Sequence, residues 1–527
     1  MYDCAIPAGG QPRHMQSSLA HIASADVVHP AIPLRSKKTR MILAGRWRRW
    51  SVCEKTLLVV FLLSLPLCNP WLRGDGIGYY AYARALLIDH NLRFEKDYFA
   101  GNADFVQRRV DETGRFKPEF YTRTGYLENH FTVGPAILWA PFLVSAHVAA
   151  LVLRVAGFPV NADGFTFPYR WAMALGTAVY GFLGLWISFH LARKYVAERW
   201  AFLATLGIWW GSSLPVYMYF NPSWSHAHSA FSVALFLWYW HRTRDARTTR
   251  QWIVLGLLAA LMTNVYYLNA VLLTAPGIEA LFRYRQALWE PDSSGPSAGR
   301  LLGQHAVFAV AVLAGMLPTL LTRQIIYGSP FESGYAALGD WHWGSPEFLR
   351  VLFSADHGML SWTPLLGLAL AGLVLFGRRE KTTGGPLIGA TVAFYLFISA
   401  YPDWDGLSSF GNRFFISLTP IFVLGLAALL GECSGWFVRE KMTLAGGASI
   451  VALFVVWNLG FIFQWGLHLV PARGPISWRR MAHNQVMVVP SRFGATVRDY
   501  LFGRKAMMQR IEEQDIQQQK LQKPPDS

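Results

Sequence analysis

Apolar runs of nearly membrane length recur along the chain, separated by short basic segments or by longer polar, aromatic-rich ones. The runs cover 56–71, 169–191, 200–219, 225–240, 252–280, 302–321, 360–376, 385–401, 414–430 and 443–465, with a further one at 133–155. A helix needs about 20 apolar residues to cross a bilayer, and several runs approach that length. None shows the alternation of a barrel strand. Backbone polar groups in lipid must also be satisfied within their own segment, so helices are predicted. The expected fold class is all-α, a polytopic transmembrane helical bundle.

The polar stretches between the runs set the orientation. Basic residues cluster in Arg46-Trp47-Arg48-Arg49, at Arg193 and Lys194, over 241–250, at Arg378 and Arg379, and at Arg439 and Lys441. Short basic loops mark the inner side, so the N-terminus is placed inside and Asp75 emerges outside. A single crossing by 133–155 would put Arg193 and Lys194 outside. If that run dips in and returns, helped by Pro135 and Pro141, every later basic loop up to Lys441 falls inside, and this arrangement is expected. It requires 252–280 to be a broken pair of short helices, interrupted near Asn264 and Asn269. The basic segment after Trp465 is its exception.

Three regions follow. Residues 1–50 read as a disordered, basic, cytoplasmic N-terminal segment. No apolar core follows the start, as a signal peptide would need, and Met41 is an alternative start. Residues 51–466 form the transmembrane domain, with a large first outer loop at 72–132 that carries interfacial helices. Residues 467–527 form a polar C-terminal segment ending in a Gln-rich stretch that reads as a frayed helical tail. Outer segments 72–132, 221–228, 323–361 and 401–413 gather the candidate chemistry on one side.

Composition narrows the partners. Of 527 residues, 53% are hydrophobic and 15% charged, which excludes a soluble domain. The formal charge of +16 is spread over loops beside apolar runs rather than gathered in one patch. Anionic phospholipid headgroups are therefore the expected partners, and nucleic acid is not. Cys4, Cys53, Cys68 and Cys433 form no CxxC pair. Cys53 and Cys68 would lie about 22 Å apart on one helix, too far to bridge. Neither a disulfide framework nor a zinc site is predicted.

Among candidate site residues Asp75 leads, because it follows the first apolar run directly. Tyr79, Tyr82, Ala83, Leu86 and Leu87 recur behind it at helical spacing, so a short helix is predicted along the interface. A carboxylate held there can take a proton from an acceptor hydroxyl; its other reading is an N-cap for that helix. Gly74, Gly76 and Gly78 leave room for close approach by a ligand. Asn129 and His130 stand where the chain returns to the apolar phase, placed either to bind a sugar or to form part of a polar belt. Asp163 reads as a turn residue.

Trp224, His226 and His228 suit a sugar ring or a polar headgroup, with interfacial anchoring as the alternative. Two histidines two residues apart match no zinc motif. In the 401–413 loop, Asp405 is a further binding candidate. Arg413 begins an apolar helix on the outer side, where a guanidinium suits a lipid phosphate, or else snorkels to the surface.

The segments GDGIGYYAYARALL, NHFTVGPAILWAPF and WDGLSSFGNRFF, in this order and placement, resemble the GT-C class of integral-membrane glycosyltransferases. The likeness spans roughly residues 56–430 and lies nearest the protein O-mannosyltransferase and lipid A aminoarabinose transferase group. It implies a bundle of GT-C type and transfer of a sugar from a polyprenyl-phosphate-linked donor to a lipid or glycan acceptor. The reaction would take place at the outer, periplasmic face of a bacterial inner membrane. Asp75 would be the general base, and Arg413 would hold the leaving lipid phosphate.

Relatives often carry a Lys or Arg in the broken helix pair, where this chain reads Leu261-Met262-Thr263-Asn264-Val265-Tyr266-Tyr267-Leu268-Asn269. The first loop also lacks an acidic pair directly after the first helix. No metal or cofactor is therefore expected. The competing classes are a transporter and a catalytically inactive lipid-binding protein of the same fold. A transporter would place ionisable groups at mid-membrane and often within repeats, and no repeat is visible here.

Overall fold

The computed structural model describes residues 50–289, 296–434 and 440–522. Most of the N-terminal segment and the last residues of the C-terminal tail lie outside that range. Among the described residues there is no strand. Two isolated bridges, pairing Val110 with Phe116 and Tyr121 with Leu127, tie hairpin turns in the 72–132 segment. Among the described residues six helices are long and apolar enough to cross a membrane: Gly134–Val155, Phe167–Ala192, Ala298–Tyr327, Lys381–Ala400, Arg413–Cys433 and Leu444–Gly466. Shorter helices, among them Val52–Ser64, Glu198–Trp210, His226–Thr243, Thr249–Val265 and Leu365–Arg379, share the bundle with them. The chain is an integral membrane protein of the all-α class.

Several apolar runs yield less than a full-length helix because turn residues interrupt them. The 200–219 run stops at Trp210, where Gly211, Ser212, Ser213 and Pro215 follow, and tightens into a π-turn over Val216–Phe220. Asn458 donates to the freed carbonyls of Trp210 and Ser212 at 2.9 and 2.8 Å, as a buried break requires. The 252–280 run breaks as expected. Its first helix ends at Val265, Tyr266 is extended, and a 3-10 turn Tyr267–Leu273 leads into Thr274–Trp289. Asn264 and Asn269 flank the break and donate to the carbonyls of Gly315 and Met262.

The 133–155 run does not fold as a dip that turns back. Gly134–Val155 is one unbroken helix of 22 residues, and Pro141 sits inside it without ending it. Its start and the loop after it are nonetheless tied to the chain around the Asp75 helix. A Cβ on Gly134 would lie 2.3 Å from the Asn264–Val265 peptide, and the loop that follows the helix receives the Tyr80 hydroxyl at the Gly164 carbonyl, 2.6 Å away. From that loop Phe167–Ala192 runs to the opposite end of the bundle. There Arg193 meets Glu54, at the start of the first helix, at 2.8 Å. The basic loop at 193–194 therefore shares the side of the start of the helix Val52–Ser64.

The helix Asp75–Arg84 is enclosed rather than laid on a surface, with Gly76 through Arg84 all buried. A buried ion pair fixes its far end: Arg84 donates to both oxygens of Asp97, at 2.5 and 2.8 Å, and to Asp89 at 2.6 Å. In the C-terminal segment Val489–Phe502 and Arg504–Gln522 are helices, and Asp515 on the second joins Arg73 of the 72–132 segment at 2.9 Å.

Candidate functional site

Asp75 is the first residue of its helix; Gly74, in a left-handed conformation (φ 55°), is the cap residue, and no side chain caps the turn. The carboxylate is therefore not spent on capping. Asp75 Oδ2 accepts from Arg413 Nη1 at 2.7 Å, across 338 residues of sequence. Arg413 sits where the 401–413 loop tightens into the 3-10 turn Arg413–Leu418. Its guanidinium lies over the Trp224 ring, 4.4 Å from the centroid, and its buried Nε has no hydrogen-bond partner. Trp224 is itself pinned by an indole N–H donated to the Arg73 carbonyl at 3.1 Å. The face of Trp224 thus orients the guanidinium instead of waiting for a sugar ring.

The glycines beside Asp75 make room for protein, not for ligand. A Cβ on Gly76 would stand 1.9 Å from Ser223 Oγ, and one on Gly78 would stand 2.0 Å from the Phe131 ring. These close approaches press the helix start against the 221–225 segment and the 129–132 segment. Ser225 donates to the Tyr79 hydroxyl at 3.0 Å. Burial, reinforced by the nearby Asp75, pushes the Tyr79 phenol well above its ordinary value, so it stays neutral beside the carboxylate.

A cavity of about 810 Å³ opens from this pair. Asp75, His130, Trp224 and Arg413 line its polar head, with Arg73 and Arg473 adding positive charge. Apolar side chains of the 456–467 and 489–511 helices, such as Leu459, Phe463, Val497 and Leu501, wall the remainder. The Asp75 side chain is 33% exposed and that of Arg413 only 11%, so the carboxylate is the more accessible partner. Burial pushes the His130 imidazole down to about 4, against the pull of Asp75, so a neutral ring faces the cavity.

Four of the eight residues expected at the site therefore meet at the cavity head: Asp75, His130, Trp224 and Arg413. Asn129 is buried and is used internally; it donates to the Gly78 carbonyl at 2.9 Å and accepts from the Phe131 N–H at 3.2 Å. His228 is fully buried against Trp139, and His226 lies buried beside Tyr217 and Tyr266. Neither histidine lines the cavity. Asp405 points to a separate cluster with Asp356 and His357. Asp163 holds its turn, accepting from the Phe165 N–H at 2.8 Å.

Sequence reasoning missed Arg323. This buried residue donates to the carbonyls of Asn129, His130 and Phe131 at 2.6, 2.8 and 2.7 Å and to the Tyr267 hydroxyl at 3.0 Å. It clamps the segment that carries His130. The available signal was a lone arginine near the end of a long apolar helix, an expensive placement that calls for buried partners.

No family model matches the chain. A stretch of 89 residues, 16% of the chain, is 28% identical to the CDP-archaeol synthase of Picrophilus torridus and spans 48% of that protein, about half its length. Among solved structures, the chain is similar to ArnT from Cupriavidus metallidurans in the apo state (12% identity over 82% of this chain and 73% of that one, TM-score 0.43). The same protein bound to undecaprenyl phosphate aligns with 13% identity, the same coverage and a TM-score of 0.44. The archaeal oligosaccharyltransferase AglB from Archaeoglobus fulgidus, in complex with an inhibitory peptide and a dolichol-phosphate, aligns with 13% identity over 83% of this chain and 54% of that one, TM-score 0.43.

Proposed function

We propose that this protein is a GT-C-class membrane glycosyltransferase that moves a sugar from a polyprenyl-phosphate-linked donor to a lipid or glycan acceptor. The face is the outer, periplasmic side of a bacterial inner membrane. The observation that carries this reading is the 2.7 Å Asp75–Arg413 pair at the polar head of a largely apolar cavity. An isoprenoid chain suits the apolar walls, and its phosphate suits the cationic head.

The chemistry follows from the two side chains. Asp75 takes the proton of the acceptor hydroxyl as that oxygen attacks the anomeric carbon. The bond from that carbon to the phosphate oxygen breaks, and its electron pair leaves with the lipid phosphate. Negative charge grows on the phosphate in the transition state, where the Arg413 guanidinium opposes it. One Arg413 Nη already serves Asp75, so base and phosphate site are held by the same group. The remaining Nη N–H groups are the donors left for phosphate. Neutral His130 is placed to hydrogen-bond a sugar hydroxyl. The roles of Asp75 and Arg413 need no metal.

The test is sugar transfer from polyprenyl-phosphate donors by purified protein, comparing wild type with Asp75→Asn at matched folded yield. Removing a general base is expected to lower turnover about 10²–10⁴-fold while donor binding persists. Equal rates in both would remove Asp75 as base. Donor binding without turnover in the wild type would reassign the chain as a lipid-binding protein, and vectorial donor movement without transfer would make it a transporter.

A further inference from the structure

A second polar cluster lies apart from the Asp75–Arg413 pair, where the segment before the helix Met359–Trp362 meets the 401–413 loop. Asp356, His357 and Asp405 each present a ligand atom there, and these atoms lie within 4.8 Å of one another. The His357 side chain is fully buried; its Nδ1 faces Asp356 Oδ1 at 3.3 Å and the ring lies near the Ala472 backbone, yet neither ring nitrogen makes a well-formed hydrogen bond. Asp356 Oδ1 is likewise buried, with that imidazole against it and no well-formed hydrogen bond. Asp405 uses one oxygen to accept from the Leu407 N–H at 3.2 Å, which leaves the other available. A buried imidazole and carboxylate without well-formed hydrogen bonds are costly unless something binds them.

We propose that Asp356, His357 and Asp405 form a site for a divalent cation of the zinc class that ties the 401–413 loop to the 354–363 segment. His357 Nδ1 and Asp356 Oδ1 stand 3.3 Å apart. Two ligands of one tetrahedral zinc, with bonds of about 2.0–2.1 Å, are separated by about 3.3 Å. Rotation of the half-buried Asp405 carboxylate brings in the third ligand, and water completes the shell. One imidazole with two carboxylates suits zinc, with manganese as the nearest competitor.

The cluster is built on rigid supports. The His357 ring packs on Trp362 with centroids 4.7 Å apart, and Trp362 donates its indole N–H to the Ala355 carbonyl at 3.1 Å. Trp362 also meets Phe410 of the opposite loop, at 5.5 Å. Gly406, the residue after Asp405, is packed so closely on Arg413 that a Cβ there would lie 3.3 Å from Arg413 Cγ. A cation at Asp405 therefore fixes the loop against which Arg413 rests. It is a positioning device, separate from the proton and phosphate roles assigned above, and it stands whether or not the chain transfers a sugar.

The test uses full-length protein with any purification tag removed, stripped with chelator and titrated with zinc, and separately with cobalt as a visible-spectrum substitute. The expected result is one ion bound per chain, a tetrahedral cobalt spectrum and a higher unfolding temperature. Asp356→Asn and Asp405→Asn should each weaken binding at least tenfold while keeping the wild-type elution profile. Wild type that binds no ion overturns the proposal, whether or not the variants fold. Equal binding by wild type and the double variant overturns it as well.

Discussion

At the scale of single residues, the candidate site turns on how Arg413 is held. It has Asp75 on one side and the Trp224 face on the other, so both its charge and its planarity are used. A lysine keeps the charge but neither stacks on the indole nor offers a fork to phosphate. Arg413→Lys is accordingly expected to lower kcat/KM for the lipid donor about 10²–10³-fold, and Arg413→Met at least as much. Steady-state kinetics on both variants, with Asp75→Asn alongside, check this.

His130 gives a pH prediction at the same scale. Its folded value of about 4 lies below its ordinary 6.5, because burial outweighs the attraction of Asp75, and Arg323 and Arg109 push the same way. Phe131 and Tyr335 pack against the ring. The unfolded chain therefore binds this proton first. Its contribution to stability is complete above pH 6.5 and declines as pH falls towards 4. His130→Gln should flatten the fall in unfolding temperature between pH 7 and pH 5; an unchanged slope would show that other groups set it. Asp75 and Arg413 were legible in the sequence because each is a charged residue that directly abuts an apolar run. His226 and His228 misled because a histidine at a helix start looks alike whether it faces a cavity or a packed core. Arg323 was overlooked because its partners are backbone carbonyls, which leave no mark on a sequence.

At the scale of elements, hydropathy located the apolar helices of the bundle but not where they stop inside it. The 200–219 break depends on Asn458, 246 residues beyond Ser212, donating to the freed carbonyls, and no local pattern encodes that. The path of Gly134–Val155 was equally hidden, because its ends are placed by tertiary contacts at Gly134 and Gly164. Close packing at Gly76 is the element feature most open to test. A methyl group there collides with Ser223, whose short side chain has nowhere to swing, so the start of the Asp75 helix must move. Gly76→Ala should cost about 1–3 kcal/mol by overpacking and should lower the unfolding temperature. Activity should fall further than stability alone explains, because Asp75 is the adjacent residue. Gly76→Ala with wild-type stability and turnover would show that the 221–225 segment yields freely.

At the scale of the whole molecule, the C-terminal segment decides how the cavity is closed. Tyr500, Met507, Met508, Ile511 and Asp515 line it, yet the sequence offered only a polar, Gln-rich tail. The segment is fastened at several points to the chain over residues 66–103. Asp515 pairs with Arg73 and with His468, both at 2.9 Å; Glu512 accepts from the Ala103 N–H at 2.6 Å; and Tyr500 donates to the Leu67 carbonyl at 2.7 Å. Arg504 adds bonds to the carbonyls of Pro66 and Cys68. Beside these polar ties, Tyr500, Met507 and Ile511 pack with Trp71, Phe220 and Leu467 in a small apolar cluster, separate from the core through which the membrane-length helices pack. Removing residues 504–527 should therefore leave the bundle folded, with a small change in unfolding temperature, while opening one wall of the cavity. A lipid donor loses apolar contact on that side but keeps Asp75 and Arg413, so its KM should rise about tenfold, equivalent to about 1.4 kcal/mol, with kcat within about twofold of wild type. The pair Asp515→Asn and Glu512→Gln, which cuts the fastenings without deleting the helix, should shift KM in the same direction by less. A truncated protein with unchanged KM would mean that the lipid enters and rests elsewhere, and that the C-terminal helices close a space the donor does not use.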